Sequence, residues 1–95
     1  MRILEVIHLR MMGEAPEDLA GLVREAAEDA HDAVQARVYR HARLEGDLLI
    51  HLHRNEAEES ARASALGIRL ASILRSHGLV DHSVWVESGG PDETQ

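Results

Sequence analysis

Six residues whose side chains could do chemistry recur at alternating positions of extended segments. They are Arg37, Tyr39, His41, His51, His53 and Trp85. Imidazole titrates near neutral pH, so a histidine can act as a general acid, a general base or a metal ligand. A guanidinium group suits an anion, and an indole offers a flat wall against which a planar ligand can stack.

Two roles follow from these residue types. The candidates for catalysis are His41, His51, His53 and Tyr39, and the candidates for ligand binding are Arg37, Tyr39, His51 and Trp85. The three histidines are also weak candidates for metal ligands. A His-x-His pair on a strand supplies only two ligands and no carboxylate falls clearly within reach, so no metal is predicted. The competing hypothesis is a solvated or dimer-facing sheet surface in a histidine-rich chain.

The segments that carry these residues form a hairpin. Residues 34–43 and 47–54 both alternate between apolar and polar side chains, and Glu45-Gly46-Asp47 between them is a turn signal. The two apolar faces coincide only if the loop has an odd number of residues. A three-residue loop at 45–47 would place His41 opposite His51 and Tyr39 opposite His53.

Composition excludes several classes of protein. The chain has no cysteine, which removes disulfides, thiolate metal sites and cysteine nucleophiles. Its formal net charge is −7 and all ten basic residues are arginine, without a basic cluster, so neither nucleic acid nor a membrane surface is an expected partner. No apolar run approaches the roughly 20 residues that span a bilayer. A cytoplasmic location and no cofactor are predicted, and no motif for phosphate binding, serine nucleophiles or zinc is present.

Four further elements surround the hairpin. Residues 2–12 predict a first strand, apolar on both faces, and residues 79–87 predict a last strand. A first helix is expected to begin at Pro16, and a second to follow an N-cap at Asn55 and end at His77-Gly78. Their inward stripes are predicted to be Leu19, Leu22, Val23, Ala26, Ala27 and Ala30 in the first helix, and Ala63, Leu66, Gly67, Leu70, Ile73 and Leu74 in the second. Residues 1–87 are expected to form one domain and residues 88–95 a polar, flexible tail.

This order of elements is β-α-β-β-α-β, which predicts a ferredoxin-like α+β fold. Right-handed crossovers give a four-stranded antiparallel sheet in the order 4-1-3-2, with both helices on one face and the other face open. Leu49, Trp85 and Ile7 are expected on the open face. Since monomers avoid a large apolar patch, the chain is predicted to form a homodimer through that face.

Residues 2–87 resemble the dimeric α+β barrel superfamily, and within it the antibiotic biosynthesis monooxygenase-like domains. The resemblance lies in the order, length and pattern of the first strand RILEVIHLRM, the Leu/Ala-striped helix, the hairpin VQARVYRHARLEGDLLIHLHR, the helix from Glu56 and the last strand HSVWVE. It implies a dimer whose two sheets pack face to face around a cavity. In the cofactor-free monooxygenases of that group Asn, Trp or His groups line the cavity, and here Trp85 and the histidines His41, His51 and His53 could play such parts.

Three functions remain open from the sequence. The first is a homodimer that is structural or binds a small ligand between or beside its sheets. The second is an enzyme, a cofactor-free monooxygenase or an isomerase, that uses the His/Tyr/Trp patch. The third is a regulatory module that resembles amino-acid-binding domains with the same strand order. A buried cavity with Tyr39, His51 and Trp85 would favour the enzyme, and ligands at subunit helix edges would favour the regulator.

Overall fold

The computed structural model describes residues 1–11, 18–28, 34–44 and 46–88. The elements in chain order are β1 (Arg2–Met11), α1 (Leu19–Glu28), β2 (Gln35–Arg40), β3 (Leu48–Asn55), a 3₁₀ turn (Glu58–Ser60), α2 (Ala65–Leu74) and β4 (Gly78–Val86). Among these residues, neither helix has the length and apolar character that a membrane crossing requires.

The strands form one antiparallel sheet in the order β2-β3-β1-β4. This confirms the predicted ferredoxin-like fold and its strand order. The strands with the most deeply buried residues, β1 and β3, lie in the middle of the sheet, and β2 and β4 form its edges.

One face of the sheet packs against the helices and forms the core. Alternate residues of β1 and β3 are inaccessible to water there, and α1 and α2 contribute their own buried stripes. The members of this core are Ile7, Leu9, Leu19, Val23, Leu48, Ile50, Leu52, Leu66, Leu70, Ala71 and Leu74. Ile7 therefore belongs to the helix-covered face, and its predicted place on the open face was wrong. Leu4 and Val6, of the opposite parity, take that place.

The helix boundaries also differ from the prediction. Asn55 is the last residue of β3, and α2 begins after Ser64, whose hydroxyl oxygen accepts a hydrogen bond from the Gly67 amide. Leu22 and Ile73, which were assigned to the inward stripes, are 53% and 43% exposed. A ten-residue helix presents only a narrow buried stripe to the sheet, and Leu22 and Ile73 lie at the margins of that stripe.

Some predictions fall on residues outside the described ranges. The start of the first helix at Pro16 and the inward position of Ala30 are among them, as are residues 89–95 of the predicted tail. The division into a domain of residues 1–87 and a tail of residues 88–95 stays a prediction.

Candidate functional site

The face of the sheet that the helices leave uncovered carries the predicted site residues. Arg37 and Tyr39 project there from β2, His51 and His53 from β3, and Trp85 from β4. Successive side chains of a strand point to opposite faces of the sheet, so these five residues share one face. Their immediate neighbours along each strand point towards the helices. The middle of this open face is formed by three half-buried apolar residues of β1 and β3, which are Leu4, Val6 and Leu49.

His41 does not join this group, because the register of the hairpin differs from the predicted one. Tyr39 lies opposite Leu49, and Arg37 lies opposite His51. The chain between Arg40 and Leu48 is a seven-residue connection, odd in number as expected but four residues longer than predicted. Within it, the Nδ1 atom of His41 accepts hydrogen bonds of 3.0 Å from the amides of Arg43 and Leu44. His41 thus organises the loop instead of facing His51.

Tyr39, His51 and His53 form a contiguous cluster on the open face. The ring centroids of Tyr39 and His51 are 5.1 Å apart, those of His51 and His53 are 5.9 Å apart, and both pairs meet edge to face. Burial lowers the pKa of His51 from its usual value of 6.5, and the neighbouring imidazole of His53 lowers it further. His51 is therefore uncharged at neutral pH and can accept a proton.

The depressed pKa of His51 has a measurable consequence. We expect a histidine titration by NMR from pH 8 to pH 5 to give His51 a pKa below 6.5. Because the unfolded chain then binds more protons, the contribution of His51 to stability is present at neutral pH and is lost as the pH falls through the unfolded value towards the folded one.

A matched variant separates the two causes of this shift. Replacing His53 with glutamine removes the second positive charge and leaves the burial, so it should raise the pKa of His51 part of the way towards 6.5. A His51 pKa at or above 6.5 in the unmodified chain would mean that its imidazole is fully hydrated.

The described residues do not assemble a metal centre. No group of three or more His, Cys, Asp or Glu side chains within ranges 1–11, 18–28, 34–44 and 46–88 is arranged to hold an ion. His51 and His53 are neighbours along one strand, and His41 lies in the hairpin loop. The three weak metal candidates are thus not brought together.

A further histidine lies on the open face towards its other end. His8 of β1 is flanked by Leu49 on β3 and Asp81 on β4, and its Nε2 atom lies 3.7 Å from a carboxylate oxygen of Asp47. His8 was not among the predicted site residues. His8 shares the even-numbered positions of β1 with Leu4 and Val6, and this pattern could have indicated its place on the open face.

The face beneath the site contains a buried charged network that sequence reasoning missed. Glu5 is fully buried, and its carboxylate accepts hydrogen bonds from Arg54 at 2.8 Å and from the Ser64 hydroxyl at 2.7 Å. His82 of β4 contacts the other carboxylate oxygen, at 2.5 Å. The signal was again parity, because Glu5 interrupts a stripe of otherwise apolar buried residues, and a charge in such a position requires partners.

This network connects β1, β3 and β4 with the beginning of α2. Arg54 also donates to the carbonyl oxygens of Ser60 and Arg62, so it fastens the 3₁₀ turn to the sheet. In the described part of the chain, every buried side-chain nitrogen or oxygen has a hydrogen-bond partner. The role of this charged network is therefore structural. His82 of β4 belongs to the same network through its contact with Glu5.

Comparisons with known proteins place the fold. No family model and no curated protein matches the chain. Among solved structures, a mutant form of SnoaB from Streptomyces nogalater, a cofactor-independent oxygenase, superimposes with a TM-score of 0.66 and 17% sequence identity, covering 95% of this chain and 96% of SnoaB. This likeness confirms the predicted resemblance at the level of the fold alone.

Proposed function

We propose that the protein is a homodimer that assembles through its open sheet face and holds a small planar ligand between or beside the two sheets. The observation that carries this proposal is the composition of that face. It exposes Trp85 to 60% and Tyr39 to 42% on either side of the half-buried apolar centre, and Leu79 to 63% at the far end of β4. Soluble chains seldom leave such an apolar surface without a partner.

The same face has the polar groups that a ligand site requires. Binding sites are mainly apolar and contain a few convergent polar groups that orient the ligand. Here Arg37, Tyr39, His51 and His53 border Leu4, Val6 and Leu49 on adjoining strands. A second copy related by twofold symmetry would supply the opposite wall and would exclude water.

A charge at the centre of the open face tests the dimer. Val6 lies on the inner strand β1, between His51 and Ser83, so any face-to-face packing of two sheets covers it. We expect the unmodified chain to have twice its 10.5 kDa mass in light scattering coupled to size exclusion. The Val6→Glu variant should weaken association by roughly a hundredfold or more, because it would bury a carboxylate in the interface beside the imidazole of His51, which is uncharged at neutral pH.

Ile68→Glu is the matched control, since Ile68 is 55% exposed on α2 and lies away from the open face. It should leave the mass unchanged, and far-UV circular dichroism should show that both variants are folded. A monomeric unmodified chain, or a Val6→Glu variant that stays dimeric, would refute assembly through this face.

The second candidate is an enzyme of the cofactor-free monooxygenase or isomerase class, favoured by the uncharged state of His51. A neutral imidazole between Tyr39 and His53 could remove a proton from an acidic C–H or O–H group of a planar substrate. Fold-level likeness to SnoaB supports the same class. The titration of His51 bears on this candidate too, because a pKa well above 7 would leave the imidazole charged at neutral pH and unable to act as the base.

A further inference from the structure

We propose that one end of the open face is a binding site for a planar aromatic carboxylate, with Arg2 as the group that receives the carboxylate. This inference deepens the proposed function, on which it rests, by naming the chemical class of the ligand. It depends on a row of side chains that crosses all four strands.

The row is defined by the register of the sheet. Trp85 lies opposite Leu4, Leu4 lies opposite His53, and His53 lies opposite Gln35. Directly opposed side chains are about 4.5–5.5 Å apart at Cβ, so the row forms a continuous surface that changes from apolar at β4 to polar at β2. The indole nitrogen of Trp85 donates a 2.8 Å hydrogen bond to the Ser83 hydroxyl, which fixes the orientation of the ring.

Two adjoining grooves follow this row, and both are lined by Arg2, Ile3 and His53. The first, of about 270 Å³, continues along Leu4 and Trp85 and is mainly apolar. The second, of about 460 Å³, continues towards Gln35 and Asn55 and is more polar. Together they lie within the range of roughly 300–1,000 Å³ that is usual for small-molecule sites.

The distribution of polar groups favours an anionic ligand at the junction of the grooves. Arg2 lies opposite Asn55 on the same open face, one step beyond the row. A guanidinium matches the two oxygens of a carboxylate, and the amide of Gln35 can add a donor. Asn55 uses its Oδ1 atom to accept from the Met1 amino group, so its NH₂ group can donate to the ligand. Two guanidinium groups line the polar groove, Arg2 and Arg54, and Arg54 is buried and already paired with Glu5. Arg2, which is exposed, is therefore the permanent cation that can receive the ligand.

One carboxylate opposes this assignment and makes it testable. Glu87 lines the apolar groove, and its amide donates to the Arg2 carbonyl, so its side chain is close to the place of the ligand anion. The whole chain is also acidic, with a net charge of −7. An anion would therefore bind through its contacts with Arg2, although the negative charge of Glu87 and of the whole chain repels it.

A titration of the full chain with trans-cinnamate, and with its uncharged counterpart cinnamamide, tests the assignment. Trp85 is the only tryptophan, so its indole N–H gives a single resolved signal in a ¹H–¹⁵N spectrum. We expect cinnamate to shift that signal saturably, together with the backbone amides near Arg2. Cinnamamide should bind at least roughly tenfold more weakly, because it loses the charge-assisted hydrogen bonds.

Three variants are expected to change the affinity for cinnamate in three different ways. Arg2→Gln should weaken cinnamate by about tenfold and leave cinnamamide nearly unchanged. Glu87→Gln should tighten cinnamate by roughly threefold, because a repulsive charge is removed, and a damaged fold would not produce such a gain. Arg10→Gln, at the opposite end of the same strand, should leave both affinities unchanged.

The outcomes separate this inference from the function on which it rests. Saturable binding of both probes with equal affinity, insensitive to Arg2→Gln, would overturn the carboxylate site and leave a ligand-binding sheet face intact. Absence of any saturable shift in a chain that light scattering shows to be a dimer would overturn the site while the dimer stands. A monomeric chain that binds cinnamate through Arg2 would support the site and refute the dimer.

Discussion

Replacing Arg54 with alanine is expected to lower the free energy of unfolding by about 3–5 kcal/mol, because it leaves a buried carboxylate without its cation. Glu5 is fully buried, and the Arg54 guanidinium lies 2.8 Å from it with its side chain only 6% exposed. Domains of this size have a total stability of about 5–15 kcal/mol, so the loss is a large part of the whole. Urea denaturation followed by circular dichroism measures it.

The contrast with a surface pair shows that burial is the cause. Arg10 approaches Asp81 to 4.0 Å, with both side chains mainly exposed, and such pairs contribute about 0–1 kcal/mol. Arg10→Ala should therefore change the unfolding free energy by less than about 1 kcal/mol. If Arg54→Ala costs no more than Arg10→Ala, the Glu5 carboxylate is not held as the structure shows.

Replacing Gly67 with alanine is expected to destabilise the protein by about 2 kcal/mol, although alanine is the better helix former. A Cβ atom on Gly67 would overlap the Glu5 carboxylate. That carboxylate cannot move aside, because Arg54, Ser64 and His82 all hold it. The loss from overpacking and from the disturbed charge network therefore exceeds the gain of about 1 kcal/mol in helix propensity.

Gly21→Ala provides the matched control within α1. A Cβ atom there would meet the side chain of Asp18, which is exposed and can rotate away, but whose Oδ1 atom accepts a hydrogen bond from the Gly21 amide at the start of α1. The loss of this capping bond offsets the gain in helix propensity, so the substitution should change the stability by no more than about 1 kcal/mol in either direction. Thermal and urea denaturation of the two variants gives the comparison, and equal effects at Gly21 and Gly67 would mean that α2 can shift away from the sheet.

The buried network also positions the proposed site. Leu4 and His53, in the middle of the row on the open face, are the chain neighbours of Glu5 and Arg54, and Ser83 is the neighbour of His82. Three strands and the beginning of α2 are thus joined directly behind the groove. The same contacts that stabilise the sheet therefore fix the spacing of the side chains on its other face.

The sequence by itself determined the fold class and the faces of the two hairpin strands. Strict alternation in the hairpin segments placed Arg37, Tyr39, His51 and His53 on one side, because a strand repeats every two residues. The order of elements, together with right-handed crossovers, then left one arrangement of strands. The odd length of the hairpin loop followed from the same alternation.

Tertiary structure decided the register of the hairpin. Every odd loop length keeps the two apolar faces together, so alternation cannot choose between three residues and seven. The longer loop is stabilised by His41, whose Nδ1 atom accepts hydrogen bonds from the amides of Arg43 and Leu44. These two bonds keep His41 in the loop and away from the site. The local sequence does not reveal whether the three-residue or the seven-residue loop has the lower free energy.

Contacts between distant residues decided the rest. The beginning of α2 depends on Ser64, whose hydroxyl binds Glu5 across 59 positions of the chain, and Glu5 also binds Arg54 and His82. Periodicity reports which face a residue occupies, but a buried charge is stable only where its partners are placed by other elements. That is why the face of β1 that carries Glu5 and Ile7, and the charged network of Glu5, both required the folded chain.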